Sequence, residues 1–375
     1  MRFFCVSFLA LLASPLVASI TLIDPLAQVA YPHVHVERAA KNSPQGYTPA
    51  QIRKAYGFDH VSSSGAGQTI AIVDAFGSPT IQTDLDTFCS SFSLPKTTIQ
   101  IAYPNGTPAT SDGGWALETA LDVEWAHAVA PSATILLVIA KDASLSNLLN
   151  AVDYAVGQGA KQISMSWGSG EFSSQSLYDS HFCKAGVTFS ASSGDNGAGV
   201  SWPAVSPYVT SVGGTTLTLN AAGKALSETA WTGSGGGTSA YTAKPAYQSS
   251  FQSSNKRMVP DVSYHADPIK GFCVYSSTPY KKQFGWFSVG GTSAGAPQWA
   301  ALFALVNSSR TTSVTNADAL LYSLGASQAY IMYYNDVTRG GNGGFLAKRG
   351  YDEVTGLGSP ISYNIVTRLS AKNIG

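Results

Sequence analysis

Charged residues are scarce in this chain. Of 375 residues only 12% are Asp, Glu, Lys or Arg, and the 22 acidic residues balance the 22 basic ones, so the formal net charge is zero. A neutral, sparsely charged surface gives no electrostatic attraction for nucleic acid or for an anionic membrane, and we expect neither as a partner. Such a surface changes little when carboxylates become protonated, which suits an acidic environment.

Cysteine is also rare. Besides Cys5, the chain contains only Cys89, Cys183 and Cys273. If Cys5 is removed with an N-terminal signal, an odd number remains, which excludes a scaffold built on disulfides alone. One bridge with a free thiol and three buried thiols both remain open. None of the cysteines has the spacing of a metal ligand.

Long hydrophobic runs are missing, apart from a short one at the N-terminus. Arg2 precedes an apolar run over residues 3–12, and small residues follow as far as Ser19. This pattern is typical of a cleaved secretory signal, whereas a membrane anchor needs about 20 apolar residues, and Pro15 interrupts the run. We therefore predict a signal peptide over residues 1–19 and a secreted protein without a membrane span.

What the sequence does contain is an alternation of apolar and amphipathic stretches. Short runs rich in β-branched residues predict buried strands, and the stretches between them predict helices. This alternation favours an α/β fold with a mainly parallel central sheet flanked by helices. The predicted strands are 68–75, 98–102, 133–140, 162–167, 187–192, 209–213 and 287–290, and the predicted helices are 79–93, 114–128, 144–158, 173–185 and 292–308.

A single catalytic domain is predicted over residues 47–372. Thr48 and Pro49 are typical of a helix start, and residues 20–46 before them form a short, poorly patterned lead-in. Sheets of this kind place functional groups at the carboxyl ends of their strands. Four residues that could carry function follow predicted strands: Asp74, Trp167, Asp195 and Ser293.

The first candidate for catalysis is Ser293, in the run Gly-Gly-Thr-Ser-Ala-Gly-Ala-Pro over residues 290–297. A serine after a glycine turn and before an apolar helix is in many proteins only a helix cap. A serine nucleophile needs a base that takes its proton. The role of Ser293 therefore depends on whether such a base is present.

A carboxyl pair is the best candidate for that base. Glu118 and Asp122 are four residues apart in a predicted helix whose other residues are mostly apolar, so both side chains leave one face of a buried helix. Buried carboxyls share protons and titrate together, with one apparent pKa raised. Glu118 would take the serine proton and Asp122 would orient it. Glu124 lies on another face and is interpreted as structural.

The third candidate is Asp195, in a glycine-rich turn after a predicted strand. Acyl transfer needs a donor for the developing oxyanion. A protonated aspartic acid donates at acid pH, near or below its ordinary pKa of about 3.9. The neighbouring Asn196 is an alternative donor, and an ordinary Asp turn is the structural alternative.

Histidine is the usual base for a serine nucleophile, and it is the competing hypothesis here. None of the six histidines follows the pattern of a catalytic histidine at a helix start, and His127 stands where a helix runs into a strand. The six are His33, His35, His60, His127, His181 and His265.

Several ordered motifs together resemble the sedolisin family, the serine-carboxyl peptidases with a subtilisin-like fold. The resemblance covers about residues 47–370. It implies Ser293 as the nucleophile, Glu118 and Asp122 as the base pair, and Asp195 as the oxyanion donor. The motifs are the run 290–297, Val-Ala-Pro-Ser-Ala-Thr at 129–134, Glu-x-x-x-Asp at 118–122, Gly-Gly-Gly-Thr-Ser at 235–239, Arg-Met-Val-Pro-Asp-Val at 257–262 and Tyr-Asp-Glu-Val-Thr-Gly-Leu-Gly-Ser-Pro at 351–360.

The same resemblance implies one structural Ca²⁺ near the C-terminus. Two carboxylates and main-chain carbonyls would form an oxygen cage, which is what Ca²⁺ prefers. The chain departs from the family's Gly-x-Gly-x-Asp pattern, because Lys348 and Arg349 bring two positive charges and predict weak binding. An ordinary turn with two unrelated aspartates is the alternative. The implied ligands are Asp336, Val337, Lys348, Gly350 and Asp352.

These observations predict a secreted, acid-acting, monomeric endopeptidase that acts on peptides or proteins. An exopeptidase with the same chemistry, a non-catalytic binding protein and a histidine-dependent subtilisin remain alternatives. A glycosidase using the carboxyl pair ranks last, because it leaves the serine motif without a role. Family members usually carry a long propeptide, whereas about 27 residues separate the predicted signal from residue 47. We expect unaided folding, a separate helper, or control by acid dependence alone.

Overall fold

The computed structural model describes residues 24–37 and 39–371. The predicted signal peptide over residues 1–19 lies outside the described residues, as does residue 372. Within the described ranges, no helix combines the length and apolar character needed to cross a bilayer.

The strands of the described residues belong to one large sheet and four small ones. In chain order they are β1 (Tyr31–Pro32), β2 (His35–Val36), β3 (Thr69–Ala75), β4 (Gln100–Ala102), β5 (Thr134–Ala140), β6 (Gln162–Met165), β7 (Trp167–Gly170), β8 (Thr188–Ser192), β9 (Ser201–Trp202), β10 (Thr210–Leu219), β11 (Ala225–Ala230), β12 (Gly237–Ala243), β13 (Lys256–Val259), β14 (Val262–His265), β15 (Phe272–Tyr280), β16 (Gln283–Gly290), β17 (Tyr334–Asn335) and β18 (Ser359–Pro360).

The helices alternate with the strands of the large sheet in the first half of the chain. They are α1 (Pro49–Ala55), α2 (Ile81–Phe92), α3 (Gly113–Val129), α4 (Leu145–Gly157), α5 (Gly295–Asn307), α6 (Ala317–Gly325), α7 (Tyr330–Tyr333) and α8 (Ser362–Ser370). Short 3₁₀ turns cover Pro25–Ala27, Phe58–His60, Gln175–His181, Ala246–Gln248, Pro268–Lys270 and Thr292–Ala294.

The central sheet has the strand order β11-β10-β8-β6-β3-β5-β4, and β14 also pairs with β10. All pairings in it are parallel except β10 with β11. Alternate residues of β3 face opposite sides, so Ile70 and Ile72 join one apolar core and Ala71 and Val73 join the other. The predicted α/β class with a mainly parallel central sheet is confirmed.

Helix α3 is buried on all sides and packs against α5, β3 and β15. Asp112 caps its start by accepting a hydrogen bond from the Trp115 N–H at 3.0 Å. Every residue from Trp115 to Val129 is buried, which is the pattern of a core helix rather than a surface helix. Carboxyl groups on this helix are therefore shielded from water.

The strand predicted over residues 287–290 forms, but not in the central sheet. Strand β16 pairs antiparallel with β15 and with β2. The chain turns between β15 and β16 at Lys281 and Lys282, which have positive φ angles of 49° and 66°. Tight hairpins of this kind favour Asn and Gly, and two lysines give no such signal in the sequence.

Two further local predictions differ from the structure. The helix predicted over residues 173–185 is only a 3₁₀ turn over Gln175–His181. The strand predicted over 162–167 divides at Ser166: β6 stays in the central sheet, while β7 pairs antiparallel with β1 and β9. Part of the predicted lead-in thus pairs with strands of the domain.

The cysteines after the N-terminal segment are not paired. Cys89 and Cys273 are buried, and Cys183 is exposed. Neither arrangement left open by the sequence is found, since there is no bridge among these three and one thiol faces solvent.

Candidate active site

Ser293 lies in the 3₁₀ turn between β16 and α5, and its side chain is fully buried. The turn requires glycine at position 291, because φ is +113° and an added Cβ would lie 2.1 Å from the His33 carbonyl oxygen. Ser293 Oγ lies 2.9 Å from Glu118 Oε2 and 3.2 Å from the Ser166 carbonyl oxygen. The buried serine hydroxyl thus donates a hydrogen bond to a buried carboxyl group.

Three carboxyl groups gather behind the serine. Glu118 and Asp122 come from one side of α3, and Asp74 comes from the end of β3; all three are fully buried. Among the described residues, Glu118 Oε1 and both oxygens of Asp122 and of Asp74 have no hydrogen-bond partner. Buried charges are rare without a partner, so the cluster favours protonated carboxyls.

The electrostatics of the cluster follow from this burial. Burial raises the pKa of Glu118 well above its ordinary value, and the nearby Asp122 and Asp74 raise it further. The pKa of Asp122 is also raised well above normal, by burial and then by Asp74. Burial raises the pKa of Asp74 to about 7. Asp74 lies at the end of β3, a strand that the sequence predicted. Its interaction with Glu118 and Asp122 on α3 brings together segments that are distant in the sequence.

Asp195 lies next to the serine turn. Its Oδ1 accepts hydrogen bonds from the Thr292 N–H at 2.8 Å and from Thr292 Oγ1 at 2.6 Å. Asp195 Oδ2 lies 3.2 Å from Nε2 of His35. Asn196, the alternative donor, is exposed.

The structure brings the four predicted catalytic residues into one region and leaves the histidines in other settings. No histidine of the described residues forms a hydrogen bond with Ser293. His127 is held by the Pro95 carbonyl at 2.7 Å, and burial lowers its pKa. His33 Nδ1 lies 2.7 Å from Ser192 Oγ, and burial lowers its pKa too. His33 and His35 lie near Ser293 and Asp195, although the sequence around these two histidines contains no motif that predicts this position.

Glu124 is buried on another side of α3. Its Oε2 accepts a hydrogen bond from the Tyr275 N–H at 3.1 Å, which attaches α3 to β15. Burial raises the pKa of this carboxyl well above normal. Glu124 is thus a second buried glutamate on α3. It contacts the backbone of β15, whereas Glu118 contacts the Ser293 hydroxyl.

The predicted calcium ligands lie around the loop 348–352. Asp336 accepts hydrogen bonds from the Gly350 N–H at 3.1 and 3.2 Å, and Asp352 Oδ2 accepts one from the Lys348 N–H at 3.1 Å. The donor set is entirely oxygen, which fits Ca²⁺. Among the described residues there is no group of three or more His, Cys, Asp or Glu side chains arranged to hold a metal.

Known proteins similar to this chain define its fold class. The model of the Subtilase family matches residues 101–351. A solved structure of Pseudomonas sedolisin, a serine-carboxyl proteinase, in complex with pseudo-iodotyrostatin superimposes with a TM-score of 0.76 at 28% identity, covering 87% of this chain and 98% of that one. The fold is thus that of the subtilisin-like peptidases.

Sequence relatives narrow the class to a family. Kumamolisin from Bacillus sp. (strain MN-32) is 31% identical, covering 95% of this chain and 71% of its own. Tripeptidyl-peptidase 1 from Dictyostelium discoideum is 29% identical, covering 86% of this chain and 58% of its own. The chain belongs to the sedolisin family of serine-carboxyl peptidases.

Proposed function

We propose that this chain is a secreted serine-carboxyl endopeptidase that works at acid pH. The observation that carries the proposal is the 2.9 Å contact between Ser293 Oγ and Glu118 Oε2 inside a buried cluster of carboxyls. Membership of the sedolisin family supports peptide-bond hydrolysis. The N-terminal pattern Arg2 with the apolar run 3–12 supports export.

In this mechanism Ser293 Oγ attacks the carbonyl carbon of the scissile bond while Glu118 takes its proton. Glu118, Asp122 and Asp74 share a limited number of protons, so the ionised member acts as the base and the protonated members limit the buried negative charge. Glu118 then returns the proton to the leaving amine. Water, deprotonated in the same way, hydrolyses the acyl-enzyme.

Asp195 would stabilise the oxyanion in its protonated form. Thr292 holds Oδ1 through two hydrogen bonds, so the carboxyl group is fixed beside the serine turn. A fixed donor is most useful where charge develops in the transition state. The requirement for a protonated Asp195 favours activity at acid pH.

An extended substrate would bind along β7. This strand lies outside the central sheet, between β9 and β1, so a substrate would pair with the edge that β1 now occupies. Main-chain pairing accepts many sequences, which suits proteins and long peptides. An exopeptidase is the second candidate, because four relatives are named tripeptidyl-peptidases.

We also propose one structural Ca²⁺ held by the Asp336 and Asp352 carboxylates and by the carbonyl groups of Val337, Lys348 and Gly350. The ion would fix the loop 348–352 against the C-terminal part of the domain and would take no part in the reaction. Asp352 is fully buried, so a nearby cation would offset the cost of its negative charge.

The proposed function is tested by hydrolysis of a denatured protein from about pH 2.5 to about pH 9, beside Ser293→Ala. Activity with an acid optimum that disappears in Ser293→Ala supports the proposal, and a neutral optimum favours a histidine base. No activity in a sample with a folded circular dichroism spectrum favours a binding protein. Mass spectra distinguish internal cleavage from stepwise release of tripeptides.

The role of Asp195 has a separate test. Asp195→Asn places an amide that donates at any pH, so the acid-limited activity is expected to extend toward neutral pH. The pH profile of kcat/KM measures this. A profile that keeps its neutral limb unchanged contradicts the assignment of Asp195 as the oxyanion donor.

A further inference from the structure

A cavity lies at the amino ends of two strands of the central sheet. Its lining includes Thr188 and Thr210, which are the first residues of β8 and β10, and its volume is about 480 Å³. Asp195 of the candidate active site follows the carboxyl end of β8 instead. Because β8 has 5 residues, its two ends are about 13 Å apart, and the cavity is separate from the active site.

Aromatic rings form part of the cavity wall. Phe182 and Phe189 are buried there, with ring centroids 5.6 Å apart, and Tyr208 and Tyr247 line the same cavity. Tyr208 is 46% exposed, so its ring reaches the surface of the protein. The faces of aromatic rings carry partial negative charge and attract organic cations, so this wall favours a positively charged ligand over an anion.

A single carboxyl group, that of Asp318, belongs to the lining of this cavity. Asp318 is only 4% exposed, although it lies in the first turn of α6, and aspartate is rarely buried without a charged partner. Thr210 Oγ1 donates to Asp318 Oδ1 at 2.6 Å, which is the only hydrogen bond of this carboxyl group among the described residues. No ion pair within the described ranges includes Asp318. Its Oδ2 is therefore available to a ligand.

The charges beside Asp318 do not balance. The buried Arg257 contacts Asp261 at 3.1 and 2.6 Å, so Asp261 already matches its positive charge. Burial and then Asp261 raise the pKa of Asp318 to about 7, while Arg257 acts in the opposite direction. When Asp318 is ionised, two buried carboxylates share one guanidinium group. The cluster then lacks one positive charge, which a bound cation would supply.

The other titratable groups around Asp318 do not supply this charge. Burial raises the pKa values of Tyr247 and Tyr334, so both phenols stay neutral near pH 7. Cys183 and Lys184 also line the cavity. Lys184 forms no ion pair with Asp318 in the part of the chain that the structure describes.

From these features we infer that the cavity binds a small alkylammonium ion, with the ammonium group at Asp318 Oδ2 and the alkyl chain between the aromatic rings. An ammonium N–H would donate to the carboxylate, and a cavity of about 480 Å³ is large enough for a ligand of this class. The site goes beyond the proposed function, because it uses neither Ser293 nor Glu118.

The charge of Asp318 makes this binding depend on pH. An alkylammonium ion has a pKa above about 10 and stays charged from pH 5 to pH 7.5. With its pKa raised to about 7, Asp318 is protonated at about pH 5 and mostly ionised at about pH 7.5. The ion should therefore bind at neutral pH, where it offsets the cost of the buried carboxylate, and leave at acid pH.

Isothermal titration calorimetry of the purified full chain with n-butylammonium chloride tests the site. Sodium chloride is the control for ionic strength, and 1-butanol is the uncharged control for the alkyl chain. We expect one ion per chain at about pH 7.5, affinity at least about tenfold weaker at about pH 5, and no binding of 1-butanol. Asp318→Asn should weaken binding at least about tenfold, whereas the exposed Asp59→Asn should not change it.

Tyr208 allows a test that leaves the buried charges intact. Tyr208→Leu removes the ring at a partly exposed position and should weaken binding about two- to fivefold, whereas the matched Tyr208→Phe keeps the ring and should bind as before. If Asp318→Asn does not fold, the pH comparison and the two Tyr208 variants decide the question.

Four results would overturn the site. They are no binding at about pH 7.5 by a folded sample, equal affinity at the two pH values, equal binding of 1-butanol, and full affinity in a folded Asp318→Asn. Ser293→Ala should bind n-butylammonium as the parent chain does. The outcome is therefore independent of whether the proposed peptidase function holds.

Discussion

Two fully buried clusters of ionisable residues differ in the partners that their carboxyl groups have. In the first, Arg257 faces Asp261, with contacts of 3.1 and 2.6 Å, and Asp261 also accepts from the Ser211 N–H and from Tyr322. In the second, Glu118 and Asp122 have carboxyl oxygens with no partner among the described residues. Arg257 gives the carboxyl group of Asp261 a fixed partner of opposite charge, whereas the proposed mechanism uses Glu118 and Asp122 for proton transfer.

The largest expected effect is on activity, and it should distinguish Glu118 from Glu124 on the same helix. Glu118→Gln should lower kcat/KM by roughly 10²–10⁴-fold, because the general base is lost, while stability near pH 7 stays the same or rises. Glu124→Gln is the matched control and should keep activity. Steady-state kinetics and thermal melts measure both. Equal loss in the two variants contradicts a specific role for Glu118.

The next effect concerns the ion pair. Asp261→Asn leaves Arg257 buried without its charge partner and should cost about 3–5 kcal/mol of the free energy of unfolding. The control is Asp153→Asn, which removes the partly exposed pair with His181 and should cost less than about 1 kcal/mol. Denaturant titration compares them. A loss at Asp261 no larger than at Asp153 refutes the structural role.

The proton-exchanging cluster predicts how stability depends on pH. Because the pKa of Asp74 is raised to about 7 in the folded protein, the folded state keeps a proton that the unfolded state releases above about pH 4. This contribution is fully present below about pH 4 and is lost as pH rises to about 7. Asp74→Asn should flatten the fall of Tm over that interval, whereas the exposed Asp59→Asn should not. An unchanged slope contradicts the raised pKa.

The smallest expected effect is that of calcium. Removal of Ca²⁺ with a chelator should lower Tm by a few degrees. The stabilisation by a bound ion grows with the ratio of ion concentration to Kd, and we expect that ratio to be small because binding is weak. Asp352→Asn should remove the response, and Asp112→Asn, which changes the cap of α3, should keep it. Melts at several calcium concentrations provide the measurement. A response retained in Asp352→Asn places the ion elsewhere.

The sequence predicted the site best where its geometry is local. Glu118 and Asp122 lie on one face because four residues make about one helical turn, and this needs no knowledge of the rest of the fold. Ser293 and Asp195 follow strands, where turns present side chains. The buried parallel strands were also found, because runs such as 69–75 are apolar on both faces.

What the sequence could not provide depends on contacts between distant segments. Asp74 joins the carboxyl cluster only because β3 ends beside α3. Tyr31–Val36 has no strand pattern of its own and becomes extended because the edges of β7 and β16 provide partners. The turn at Lys281–Lys282 lacks the residues that favour positive φ, so the hairpin was missed.

The reactivity of the three thiols described above can be used to follow how often the core becomes exposed to solvent. Cys183 is exposed and should react with a thiol reagent at once, whereas Cys89 and Cys273 lie in the core, where burial raises the pKa of each to about 12. In a chain from which residues 1–19, with Cys5, have been removed, a labelling time course should therefore have one fast step and a slow one whose rate reports exposure of the interior. No introduced probe is needed to follow it.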